Sequence, residues 1–385
     1  MRNTCNNQKK KLTIVDFAHM SSRNLHSVVS QIPMNKTNGK YETNEFIQLY
    51  VHQMLTSLKS VKRKFQGEII LAMEGSRNWR KDYYSGYKGL RNKARDESPI
   101  NYETFYACVE EFKEALKSFP FYQVTVDRAE ADDIAGVVAK NLHKDYKITL
   151  VSSDKDWRQC TQYEDVQQWD PIKKIMVNLN AEERVVINSK SGSMCTFTAK
   201  HTLLGDAGDG VPKFCSDTEF SPVFLAYMLE NGIQKMSPYE FHKLETSAVL
   251  IEAFNVYKKF ISGKRKGQDT EVKDIYKNTQ FGTVKVQKAL DHLTDNTVLS
   301  TPHLTEQFER NNVLVDFNRI PEDVVKSVLH EFENKSNEYD PEKIKEYLTE
   351  MNLRQLLLSM DGFLDGDFEF KQRELVAQKS LDEWF

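Results

Sequence analysis

The run LTIVDF at Leu12–Phe17 decides the reading of the fold. Its first four residues are apolar or β-branched without polar alternation, which describes a strand buried on both faces, as at the centre of a parallel sheet. Working outward, Glu42–Lys64 has helical character, Glu68–Met73 (EIILAM) reads as a second strand, and Tyr102–Ser118 has helical apolar spacing. Tyr122–Val126 reads as a strand, Ala131–Leu142 as a helix and Lys147–Ser152 (KITLVS) as another strand. Strands alternating with helices over the first 180 residues predict an α/β fold with a mostly parallel central sheet flanked by helices. After about residue 200 the strand signals thin out and a smaller all-helical C-terminal domain is expected.

The organisation expected is a flexible N-terminal tail at 1–11, an α/β domain at 12–200 with a basic segment at 77–100, a helical domain at 201–370 and a tail at 371–385. Lys258–Lys266 reads as an exposed loop, and the polar stretch Glu333–Glu342 as a separator between two late helices.

Composition narrows the class. Of the 385 residues, 39% are hydrophobic and 28% charged, as in an ordinary water-soluble globular chain. No run of 18 apolar residues is present, so no membrane span is expected, and MRNTCNNQKKK lacks the apolar core of a signal peptide. The cysteines at 5, 108, 160, 195 and 215 form no CxxC pair, which argues against a disulfide framework or a zinc site and fits the reducing cytoplasm.

The acidic residues carry the chemistry. Asp16 ends the first strand, Glu74 follows the second, and Glu130, Asp132 and Asp133 open a helix in EADDIAG. Asp154 and Asp156 follow KITLVS, and Asp206 and Asp209 lie one helical turn apart in GDAGDGVP. Residues just past the carboxyl ends of parallel strands converge on one edge of the sheet. Two carboxylates ~4 Å apart repel by about 4 kcal/mol at an effective dielectric near 20, so such a gathering calls for cations. Oxygen-only ligands suit Mg²⁺, with Mn²⁺ as a substitute, and a pair of such ions supports phosphodiester hydrolysis. Any one of these residues taken alone reads more simply as a helix cap or a surface charge.

Directly after Glu74, seven basic residues and one acidic residue lie between Arg77 and Arg95, although the whole chain carries a formal charge of −3. Arg77, Arg80, Lys81, Lys88, Arg91 and Arg95 alternate with Trp79, Tyr83, Tyr84 and Tyr87. Cations neutralise phosphates and rings stack on unpaired bases, the combination expected of a nucleic-acid channel. The plainer alternative is an amphipathic helix with a solvated charged face.

Taken together, VDF, YKGLR, EADD, SSDKDW and GDAGDGVP resemble the structure-specific 5′ nuclease family of flap endonucleases and 5′–3′ exonucleases. WRKDYYSGYKGLRNKARDES, VSSDKDWRQCTQYEDVQQWDP and NNVLVDFNRIPEDVV look most like its phage ribonuclease H branch. The resemblance implies that Asp16, Glu74, Glu130, Asp132, Asp133 and Asp154 surround one Mg²⁺ ion, with Asp156, Asp206 and Asp209 near a second. It implies that Lys88 and Arg91 steer the scissile phosphate, and that RNA–DNA and DNA duplexes with 5′ ends or flaps are the substrates. Localisation would be the cytoplasm of a host cell. Three departures stand out: Glu74 replaces the usual Asp, Gly210 replaces the usual Asn, and KFCSDTEFSPVF shows no glycine-rich helical hairpin for gripping duplex DNA.

At the chain end, Gln378, Leu381, Trp384 and Phe385 in QKSLDEWF resemble a sliding-clamp-binding box, with Leu381 and Trp384 on one face of a helical turn. A single-strand DNA-binding protein is a further expected partner. The rival readings are a PIN-type ribonuclease and a non-catalytic, clamp-bound DNA-binding scaffold.

Overall fold

The computed structural model describes residues 9–31, 43–89, 98, 100–189, 192–206, 208–212 and 302–363. Arg91, Arg95, Lys258–Lys266 and the four residues of the C-terminal peptide lie outside them. The chain forms two compact units, one of residues 1–78, 92–178 and 320–385, the other of 79–91 and 179–319.

The first unit is built on a six-stranded sheet. Its strands are β1 (Lys10–Asp16), β2 (Glu68–Met73), β3 (Tyr122–Thr125), β4 (Tyr146–Val151), β5 (Val166–Asp170) and β6 (Ile175–Met176), in the order β3-β2-β1-β4-β5-β6. All neighbours pair in parallel except β5 and β6. As expected from its apolar run, β1 lies centrally, between β2 and β4.

The helices of this unit are α1 (Phe17–Gln31), α2 (Thr43–Lys64), α4 (Tyr102–Leu116) and α5 (Ala131–Leu142), together with α8 (Glu322–Glu333), α9 (Pro341–Glu350) and α10 (Arg354–Leu358). Tyr50, Val51, Met54, Leu55, Leu58 and Val61 put a helical stripe of α2 into the core against Phe105, Val109 and Phe112 of α4. Each large apolar side chain buried this fully contributes about 1.5–3 kcal/mol. Asn101 caps α4 by accepting from the Thr104 N–H, and Asp340 caps α9 ahead of Pro341.

Ile344, Leu348, Leu353, Leu356 and Phe363 complete the same core. Ile320–Phe363 thus belongs to the unit of the sheet, although the sequence places it in a separate helical domain beginning at 201. The reason is that α9 and α10 carry the apolar residues that close this core, which a boundary drawn from secondary-structure content does not register.

The second unit holds α3 (Trp79–Tyr83), the antiparallel hairpin β7 (Val186–Ser189) and β8 (Gly192–Cys195), α6 (Thr196–Leu204) and α7 (Pro302–Val315). Asn311 of α7 ties this unit together by donating to the Thr202 and Pro212 carbonyls, at 3.0 and 2.6 Å. No described helix is long and apolar enough to cross a membrane.

Candidate metal centre and nucleic-acid interface

From β1 the chain builds β2 and β3 on one side of the sheet, then returns to place β4 and β5 on the other. At such a reversal the connecting segments diverge and leave a crevice beyond the carboxyl ends of the strands. Asp16 stands level with Ala72 on β2, and Val15 with Val151 on β4, so Asp16, Glu74 and Ser152 all leave the sheet at this edge.

A hydroxyl that sequence reasoning passed over joins two of the carboxylate segments. Ser152 Oγ donates to Asp16 Oδ2 at 2.8 Å and accepts from the Asp154 N–H at 3.0 Å. The Asp156 N–H in turn donates to Asp154 Oδ1 at 2.9 Å. Gln168 on β5 donates to the carbonyls of Ser152 and Asp154, both at 2.8 Å, and fixes the loop that carries them.

The EADD carboxylates arrive on α5. The Trp157 indole donates to Asp132 Oδ1 at 2.7 Å, linking this helix to the Asp154–Asp156 segment. The Gly75 N–H donates to the Ala129 carbonyl at 2.8 Å, so exposed Glu74 and buried Glu130 flank one backbone contact. A Cβ at Gly75 would lie 2.2 Å from the Val126 carbonyl, so this approach requires glycine.

Asp133 also caps the helix on which it stands. It is fully buried, and its Oδ2 accepts from the Glu130 N–H at 2.8 Å, which caps α5. It thereby braces Glu130 from within the protein.

Asp16 shows what the gathering costs. Burial, and secondarily the charge of Asp154, push its carboxyl up to about 6, against the lowering effects of the His19 N–H and Ser152. A carboxylate that is buried, close to others and hard to ionise unaided, in an oxygen-donor set, fits a divalent cation of the Mg²⁺ class.

In the second unit, Asp206 and Asp209 do not sit on a helix. Gly205 ends α6 with a positive φ of 64°, and Asp206 then pairs with Val211 across a tight loop. Asp206 Oδ1 accepts from the Gly208 and Asp209 N–H groups, at 2.7 and 3.2 Å. Asp206 Oδ2 lies 3.5 Å from Nε2 of buried His201, a residue the sequence did not single out. Asp209 accepts from the Tyr87 hydroxyl at 3.0 Å and lies 3.9 Å from the Lys88 ammonium. Lys88 itself has a positive φ of 54°, and its N–H donates to the Asp209 carbonyl at 2.8 Å.

Two residues expected to meet nucleic acid are occupied elsewhere. Arg80 is buried beside Trp79, and its Nε donates to the Leu314 carbonyl at 3.0 Å. Tyr87 is buried against Val211, Leu314 and Val315, so its ring is no platform for a base. Both side chains are buried within the second unit, a distinction that composition alone cannot make. Lys81 and Tyr83 are exposed, and Tyr84 is half-buried with the Arg310 guanidinium 5.4 Å above its ring. In the first unit, Arg77 pairs with Asp127, whose carboxyl is held down to about 2 by Arg77 and then by Ser76.

Three comparisons bear on this arrangement. Residues 11–190 match the model of the 5′–3′ exonuclease N-terminal, resolvase-like domain. Ribonuclease H of Enterobacteria phage T4 is 26% identical over 345 residues, covering 87% of this chain and 93% of that protein. Flap endonuclease Xni of a Shewanella species is 28% identical over 137 residues, covering 35% of this chain and 47% of that one. Among solved structures, the T5 D15 protein co-crystallised with metal ions aligns with a TM-score of 0.45 and 17% identity, covering 84% of this chain and 99% of that one.

Proposed function

We propose that this chain, whose residues 11–190 match the 5′–3′ exonuclease N-terminal domain, is a Mg²⁺-dependent nuclease of the 5′–3′ exonuclease and flap endonuclease family that removes RNA primers, with some adjoining DNA, from 5′ ends and flaps. The observation that carries this reading is the Asp16–Ser152–Asp154 linkage at the winding reversal of the sheet. It holds two carboxylates from opposite halves of the sheet at one edge.

The proposed ligands of the first ion are Asp16, Glu74, Glu130, Asp132 and Asp154, with Asp133 bracing Glu130. Asp206 and Asp209, in the second unit, are the proposed ligands of a second ion. When bound, two such ions activate a water and stabilise the leaving oxygen. Lys88, with Arg91, would draw the scissile phosphate towards the carboxylates by charge and hydrogen bonding. Lys81, Tyr83 and Arg77 are the proposed contacts to the incoming strand. The terminal peptide Gln378–Phe385 is proposed to bind a replication sliding clamp, which would raise the effective concentration of enzyme at the primer end.

The test is cleavage of a 5′-labelled RNA–DNA primer annealed to a DNA template, with Mg²⁺, with EDTA, and by Asp154→Asn. Short 5′ products that require Mg²⁺ and vanish in the variant are expected. Intact duplex binding without cleavage of this substrate or of a flapped DNA would overturn the enzyme reading in favour of a scaffold.

A further inference from the structure

We propose that His201 is a ligand of the second divalent cation and shifts that site's preference from Mg²⁺ towards Mn²⁺. The inference rests on the nuclease reading and deepens it, because none of the family motifs in this chain includes a histidine.

The local fold aims the imidazole at Asp206. His201 lies in the last turn of α6, buried, with the Phe197 ring edge-on at 6.2 Å. The helix ends when the Gly205 N–H closes on the His201 carbonyl at 2.8 Å, and the left-handed Gly205 turns Asp206 back beside the imidazole. With Asp206 Oδ1 accepting two backbone N–H groups, Oδ2 is the oxygen turned towards His201 Nε2.

The 3.5 Å between these atoms is at the long limit of a hydrogen bond. It is the separation expected of two ligands on one ion: bonds of ~2.1 Å at angles between octahedral and tetrahedral place them roughly 3.0–3.5 Å apart. The last turn of a helix also favours positive charge. The simpler alternative is a buried His–Asp ion pair that holds the loop and binds nothing.

The chemistry of the pair sets the preference. Mg²⁺ takes oxygen donors and keeps several waters, whereas imidazole strengthens binding of first-row transition ions. With the His201 nitrogen added beside the Asp206 oxygen, the second site therefore gains on Mn²⁺ relative to an all-carboxylate site.

Pulsed EPR of the full-length protein loaded with Mn²⁺, together with calorimetric titration of Mn²⁺ and Mg²⁺, tests this. The wild type is expected to show nitrogen coupling from a directly bound imidazole. His201→Gln should lose that coupling and reduce the Mn²⁺-over-Mg²⁺ affinity ratio about tenfold. Bound Mn²⁺ without imidazole coupling in the wild type overturns the inference and leaves the nuclease reading standing, and that result needs no variant to fold. Coupling that persists in His201→Gln assigns it to another histidine and also overturns the inference. Failure of either ion to bind at all overturns both readings.

Discussion

Tyr87 donates its phenolic proton to the carboxylate of Asp209 across 3.0 Å, so a residue read as a stacking ring is the hydrogen-bond partner of a residue read as a metal ligand. The ring is buried, and removal of its hydroxyl leaves an anionic acceptor short of one charge-assisted bond. Tyr87→Phe keeps the ring and is expected to cost about 1.5–3 kcal/mol of stability. Urea unfolding of the purified protein measures it. A loss under 0.5 kcal/mol would show that Asp209 re-pairs without the phenol.

Ser152→Ala removes a hydroxyl that contacts both Asp16 and the Asp154 backbone. Groups that orient metal ligands typically matter ten- to a hundredfold in affinity. Calorimetry should therefore find Mg²⁺ affinity lowered by roughly that factor, with circular dichroism unchanged. Affinity within twofold of wild type would mean that the loop, held by Gln168, orients the carboxylates unaided.

Asp16 links metal to pH. Its folded-state carboxyl titrates at about 6 against an ordinary 3.8, so the metal-free fold takes up a proton that the unfolded chain releases. The stability this provides is full below about 3.8 and is lost as pH rises through about 6. A shift of this size corresponds to about 3 kcal/mol. Asp16→Asn should hence melt above wild type at pH 7.5 in EDTA, with the advantage shrinking by pH 4.5, while losing the stabilisation that Mg²⁺ gives the wild type. A wild type that melts higher than the variant at pH 7.5 in EDTA would refute the linkage.

Gly210 departs from the Asn that the family resemblance implies at this position, and the structure gives a reason for glycine. Its φ is +71°, and a Cβ there would lie 2.5 Å from the Gly86 carbonyl. Asparagine tolerates the left-handed conformation but still brings a Cβ. Gly210→Ala and Gly210→Asn should both destabilise by about 1–3 kcal/mol. If thermal unfolding shows Asn restoring wild-type stability while Ala does not, dihedral strain alone governs the position.

The carboxylates at the sheet edge were legible because strand ends can be read from apolar runs: Asp16, Glu74 and Asp154 follow directly from LTIVDF, EIILAM and KITLVS. The spacing of three between Asp206 and Asp209 matches a turn of helix, which the structure replaces with a tight loop. The glycines at 205, 208 and 210 and the Asx-type bonds of Asp206 decide for the loop. Ser152, His201 and Asp133 were illegible in role, since a serine, a lone histidine or an extra acid acquires meaning only from its neighbour in space. Burial likewise separated Arg80 and Tyr87 from Lys81 and Tyr83, which composition had grouped together.

The return of Ile320–Phe363 to the core of the sheet has a consequence for synthesis. A ribosome that has made the first 300 residues has already delivered every carboxylate of the proposed centre, yet not the residues Ile344, Leu348, Leu356 and Phe363 that close the core beneath it. The proposed metal ligands are therefore synthesised well before the residues that complete the core of their unit.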